Sequence, residues 1–345
     1  SASTLISNSG SWVAGNQFQM QAADAQVTLN NSGTWQANGA MVLGSAGHLV
    51  DLSNLSSGII LANSLSITAA ALSNAGAVQA SAGATVTGST FTNSGVSARF
   101  LLSTVAGGDG SLNFSGAVDN QGTLQSAGAL SLTSGGTFTN SGNLFALHAA
   151  QGGSDEALTV TALRIDNSGV IDGGGALTMA GSDTVGNSIN NSGSIQGGGA
   201  TLFSVGNQMT NSSTGRIIGD SAITVTSAGS AFSLDNTGLI QATGRLVLGQ
   251  SGHLLSLANA GTILTAADLD LSGGSVLNSG EVQAATGASV TGSTFTNSGV
   301  SARFLLSTVA GSDGNLNFSG AVDNQGTLQS AGGLSVASTS TLNNS

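Results

Sequence analysis

One short pattern punctuates this chain: an apolar residue, any residue, Asn, any residue, Gly, any residue, apolar, as in the "LNNSGTWQ" of residues 29–36. The Asn anchor returns at Asn8, Asn31, Asn54, Asn74, Asn93, Asn120, Asn140, Asn167, Asn191, Asn211, Asn236, Asn259, Asn278, Asn297, Asn324 and Asn344, with gaps of 19 to 27 residues. A recurring period in this range identifies a stack of similar units, each touching only its neighbours. Length therefore sets the number of units. Residues 1–345 read as a single continuous array.

The residues around each anchor define the unit. Two before the Asn stands an apolar residue in every case, among them Leu29, Leu52, Phe91, Phe138, Ile165 and Met209. Two after the Gly stands another, such as Trp35, Val78, Leu124 or Ile240, with Ser97 and Ser301 as exceptions. A strand with strict alternation follows: Leu65 and Ile67, Leu130 and Leu132, Ile223 and Val225, Leu269 and Leu271. Period two over a few residues, bounded by Gly and Asn, reads as a half-buried strand. Two or three such strands per period make one coil of a parallel β-helix. The expected fold is all-β, with about 15 coils of about 22 residues, and the strand spacing of about 4.8 Å then gives a rod of about 70 Å. Asn and Gly both tolerate the left-handed backbone of tight corners, which accounts for their pairing at the turn. Equivalent Asn residues would lie above one another and form an amide ladder, as in stacked cross-β arrays.

Composition narrows the function. The chain is rich in Gly (53 residues), yet 39% hydrophobic content at fixed places argues for folding rather than disorder. The net charge is −11, and the five cations, all Arg, are scattered, so no nucleic-acid partner is expected. No apolar run is long enough to span a membrane as a helix, and there is no basic start with an apolar core to mark a signal peptide. Absent Cys removes thiol chemistry, and absent Pro suits unbroken strand ladders. The final Leu342, Asn343 and Asn344 open a further unit, which suggests a piece of a longer chain.

A larger repeat overlies the small one. Residues 86–128 recur as 290–332 with two differences, Gly108 against Ser312 and Ser111 against Asn315. The wider duplication pairs 36–140 with 241–344, nine coils apart. Duplication that adds length suits a stalk better than an active site. Three coils are long, those after Asn93, Asn140 and Asn297. The second holds "HAAQGGSDE" from His148 through Asp155 to Glu156, a candidate contact loop; the others hold "VSARFLL". Loops are where solenoids commonly carry function.

Candidate chemistry is sparse. Glycoside cleavage needs two carboxylates across a groove, but Asp155 and Glu156 share one loop, and Asp268 and Asp270 share one strand face, as solvated charge does. Lyase chemistry wants a Lys or Arg base beside bound calcium, and Lys is absent. His48 and His253 are equivalents in the large repeat and His148 is solitary, so no convergent metal set is expected. The "GGDG" at 107–110 is too isolated for a calcium repeat. Trp12 and Trp35 share a coil position that is otherwise aliphatic, so they read as an interior stack; Arg99 and Arg303 read as outward side chains. No catalysis and no cofactor are expected.

The recurring "FTNSG", "VDNQGTLQSAGALSL", "IDNSGVIDGGGALTM" and "INNSGSIQGGGATL" resemble the repeat region of filamentous haemagglutinin and its relatives, the exoproteins of Gram-negative two-partner secretion. The resemblance covers the whole chain. It implies a right-handed parallel β-helix, an outer-membrane transporter as secretion partner, and a location outside the cell or at its surface. The chain would be a rigid stalk for an adhesin or a contact-dependent growth-inhibition toxin. A different reading makes it a carbohydrate- or receptor-binding module that uses its lateral face or long-coil loops. A third makes it a polysaccharide-cleaving β-helix.

Overall fold

A computed structural model describes residues 4–21, 23, 25–147 and 156–345. Among the described residues there are 37 strands and no helix. The chain divides into two compact units, Ser1–Ala176 and Leu177–Ser345. Each is a parallel β-solenoid, and together they hold about 14 turns of about 23 residues. The all-β coil architecture read from the repeat is therefore the observed one.

In the first unit, Thr4–Asn8, Gln26–Asn31 and Leu49–Asn54 lie parallel, with Asn8 opposite Asn31 and Asn31 opposite Asn54. The same register continues through Asn74, Asn93, Asn120, Asn140 and Asn167. Each Asn closes a strand whose alternate side chains point inward, so Leu29, Leu52, Leu72, Phe91, Val118, Phe138 and Ile165 form one buried column. In the second unit the register runs from Asn191 through Asn211, Asn236, Asn259, Asn278, Asn297 and Asn324 to Asn344. Met209, Leu234, Leu257, Val276, Phe295 and Val322 fill its corresponding column. Burying each such side chain contributes about 1.5–3 kcal/mol, and a coil gains most of it only when both neighbours are in place.

The two exceptions in the sequence have a structural cause. After Asn93 the turn is lengthened: Gly95 adopts φ 87°, the Ala98 N–H bonds to the Gly95 carbonyl at 3.0 Å, and Ala98 is buried. The strand then resumes so that Phe100, not Ser97, sits between Val78 and Leu124 in the interior column. Phe100 meets Phe91 edge-on with centroids 5.2 Å apart, a favoured aromatic geometry. Gly299, Ala302 and Phe304 repeat the arrangement in the second unit, where Phe295 and Phe304 are 5.1 Å apart.

The glycine of the repeat needs a different explanation from the one its composition suggests. Of the glycines that follow the anchors, only Gly95 and Gly299 are among those with positive φ. The others are constrained by their neighbours. A Cβ on Gly33 would lie 2.0 Å from the Gly10 carbonyl oxygen, on Gly142 2.1 Å from that of Gly122, and on Gly280 2.1 Å from that of Gly261. At the corner the coils approach backbone to backbone, and no side chain fits. Gly10 has nothing within 4 Å of the same point. Gly33→Ala should therefore destabilise the chain by about 1–3 kcal/mol, as overpacking does, while Gly10→Ala should be nearly silent in the same denaturant titration. Equal effects would refute the steric account.

Candidate functional site

The most elaborate side-chain constellation is the Asn column. In the first unit the Nδ2 of Asn8 donates to Oδ1 of Asn31, and the chain of amides runs on through Asn54, Asn74, Asn93, Asn120 and Asn140 to Asn167 at 2.7–2.8 Å. In the second it runs from Asn191 to Asn344 at 2.7–2.9 Å. The ladder residues from Asn8 to Asn167 and from Asn191 to Asn324 are buried. Nδ2 of Asn140 also donates to the Val170 carbonyl at 3.1 Å, and that of Asn297 to the Thr327 carbonyl at 3.1 Å. One amide thus ties the side chain below to the backbone beyond the turn above. Buried polar groups are tolerable only when satisfied, and this column achieves it by supplying each residue's partner from an identical residue.

The long coils contain a second buried network that sequence reasoning missed. Ser103 and Ser126 share a hydrogen bond at 2.9 Å, and Ser103 Oγ accepts from the Ala127 N–H at 2.7 Å. Ser307 and Ser330 repeat it at 2.8 Å, with the Ala331 N–H at 2.8 Å. Ser103 and Ser307 are fully buried. The available signal was the consecutive Leu101–Leu102 and Leu305–Leu306, which break strict alternation just before each serine.

The remaining candidates disperse. His148 and Asp155 lie outside the described residues; Glu156 is half-buried, and its carbonyl accepts the Gly175 N–H at 2.9 Å. His48 and His253 close tight turns, His48 exchanging backbone bonds with Ser45 and the His253 N–H reaching the Gln250 carbonyl. Trp35 is fully buried and stacks on Trp12 at 6.0 Å, with Phe18 at 6.1 Å from both; Trp12 itself is 38% exposed. Asp109 and Asp313 each cap the next coil, accepting the N–H of Ala129 at 3.0 Å and of Gly333 at 2.6 Å. Arg99 is exposed, and Arg303 pairs with Glu281 at 3.1 Å. Such surface pairs are worth little in stability. Arg245 pairs with Asp270, whose hydrogen bond and charge raise the guanidinium pKa further above its usual value, so it is cationic throughout the accessible range.

Asn140→Ala should cost about 2–5 kcal/mol, because Asn120 Nδ2 and Asn167 Oδ1 both lose their partner in a dry site. Asn140→Asp preserves shape but places a carboxylate against the Asn167 Oδ1 acceptor, which raises the folded-state carboxyl pKa above the unfolded value of about 3.9. A raised folded pKa favours the folded state at low pH. This variant should accordingly regain stability as pH falls through that raised pKa, and thermal melts across acidic pH would show it; a flat profile would refute the donor requirement.

Chemically, the column orders the chain and presents no reactive group to solvent. Comparison of the chain with protein-family profiles, curated proteins and solved structures returned no match.

Proposed function

We propose that the chain is a spacer segment of a secreted exoprotein of the filamentous-haemagglutinin type, holding a binding or effector domain away from a Gram-negative cell. The observation that carries this reading is the uninterrupted amide ladder within each unit, from Asn8 to Asn167 and from Asn191 to Asn344. A polar column that must be satisfied at every coil resists local opening, because one displaced coil leaves two others unpaired. The duplicated block supports it too: nearest-neighbour stacking lets length be added in blocks without redesigning a core. On this reading, passage through an outer-membrane transporter precedes folding, and the finished coils transmit position rather than perform chemistry.

The duplication supplies the test. Deleting residues 94–297 joins Asn93 to Ser298 within identical flanking sequence, "FTNSGVSARFLL", so the junction coil keeps its native neighbours. Both lengths would be placed between an outer-membrane anchor and a distal epitope on living cells. The shortened chain should fold with the same circular dichroism and lower the epitope's height above the membrane. Unchanged height with a folded chain would sink the spacer reading.

A further inference from the structure

Half of a second amide ladder runs along the outside of each unit. In the second unit, Gln196, Ile218, Gln241, Leu264, Gln283 and Leu305 follow one another on six consecutive coils, each in register with the next. The position faces outward, between buried neighbours such as Ile240 and Ala242. Ile218 and Leu264 are half-buried there, and Leu305 is buried. In the first unit, Gln36, Leu61, Gln79, Leu101, Gln125 and Phe145 keep the same alternation. A glutamine on every second coil has its like neighbour about 9.6 Å away, twice the coil spacing, and amides stacked at that distance do not bond. The interior asparagines, one per coil, bond at 2.7–2.9 Å. Gln196 reaches Asp220 at 3.2 Å, but among the described residues the Gln241 and Gln283 amides have no partner within the chain.

A second copy of the chain, turned antiparallel, fills the gaps. A two-fold axis that runs along the strands, between the Gln241 and Leu264 coils, lays this face on itself. Gln241 then meets Leu264 of the second copy, Ile218 meets its Gln283, and Gln196 meets its Leu305. Each glutamine seats over an apolar side chain and between two glutamines of the other copy, at the one-coil spacing where the asparagines bond. The neighbouring outward column bears on the register independently. It carries Ser194, Arg216, Leu239, Thr262, Glu281 and Arg303 on the same six coils. The same axis brings Arg216 opposite Glu281 of the second copy, twice by symmetry. Arg216 is exposed and, among the described residues, in no ion pair. Glu281 gives Oε1 to Arg303 at 3.1 Å, which leaves Oε2 for a second arginine. Moving the axis one coil on, between Leu264 and Gln283, sets Glu281 against Thr262 and Arg303 against Leu239 instead. Facing sheets lie about 10 Å apart, a gap that Arg and Glu side chains span together.

We propose that this face of the second unit pairs two copies of the chain antiparallel, through interleaved glutamines and a reciprocal Arg216–Glu281 contact. Six coils make the shared strip about 29 Å long, and two outward columns make it about 12 Å wide, so each copy covers about 350 Å². A standard stable interface takes about 800 Å² from each partner, so this pairing belongs to the weak, transient class. Weak contacts become effective where many chains are tethered together. On the spacer reading, chains anchored in one membrane point the same way, and an antiparallel pair joins chains from two cells; only that consequence rests on the spacer reading.

The chain has no Cys, so single cysteines report the register. R216C and E281C chains would be prepared separately and treated with a bismaleimide about 10 Å long, the distance between facing sheets. The mixture should give several-fold more cross-linked dimer than either variant alone. In the mixed pair the two thiols face each other and one Arg216–Glu281 contact survives, whereas in either variant alone the thiols lie three coils out of line. Sedimentation equilibrium of the native chain should show monomer and dimer in exchange. Q241E/Q283E sets carboxylates among the interleaved amides and should weaken that dimer about tenfold or more. Q121E/Q325E adds the same charge at exposed corners and should leave it unchanged, with circular dichroism confirming that each variant folds. A native chain that stays monomeric overturns the proposal. So does cross-linking no greater in the mixture than in the single variants, or a Q241E/Q283E chain that folds and pairs as the native one does. The spacer reading stands apart from these outcomes, since it rests on the asparagine ladder and fails on epitope height.

Discussion

Interstrand hydrogen bonding sets the distance between coils, and every side chain must then accept a like neighbour about 4.8 Å away. Four solutions to that demand recur. Apolar residues stack on apolar residues. Asn bonds to Asn, because a primary amide is both donor and acceptor. At the corner, where the backbones come closest, only the absence of a side chain works. Charge is the difficult case, because like charges in adjacent strands repel. The chain meets it with scarcity and with uncharged partners: Gln26 donates to Asp51, Gln208 to Asp235 at 2.6 Å, and Gln196 to Asp220 at 3.2 Å. The 6% of charged residues is thus a property of the architecture as much as of the environment.

This constraint explains what was legible in the sequence. Because each coil contributes one residue per column, the columns appear as a spaced pattern, and the all-β coil fold, its period and the interior positions of Leu65, Ile67, Ile223 and Val225 could be read directly. Trp35 was placed inside for the same reason. Two features were hidden by geometry. Ser97 and Ser301 broke the pattern because an inserted turn moves the inward role to Phe100 and Phe304, which no fixed spacing can anticipate. The role of the corner glycine was misjudged because its cause lies in the preceding coil, some twenty residues away in sequence, and not in its own backbone. The contact-loop residues His148 and Asp155 lie outside the described residues.

The internal duplication is the second source of inference. Residues 86–128 and 290–332 are near-identical, so differences between the coils that flank them stand out against a fixed frame. Ala77 opposes Arg99 in the first unit, where Glu281 opposes Arg303 in the second. Ala40, Ser64 and Ser66 correspond to Arg245, Asp268 and Asp270. The second copy has acquired charge where the first has remained neutral, on the same scaffold. These substitutions were visible in the sequence; what required coordinates was that three of them line one groove, with Gly287 on the following coil.

The amide ladder also has a sense. Within each ladder, every Asn with a ladder neighbour on both sides turns its oxygen toward the preceding coil and its nitrogen toward the following one. Aligned amide dipoles add head to tail, as peptide units do along a helix, so each ladder carries a field that is negative at its first Asn and positive at its last. A coil presented upside down would bring nitrogen against nitrogen or oxygen against oxygen at a buried position. The stack therefore carries its own arrow, and a coil joining during folding docks with its carbonyl toward a waiting N–H or fails to dock.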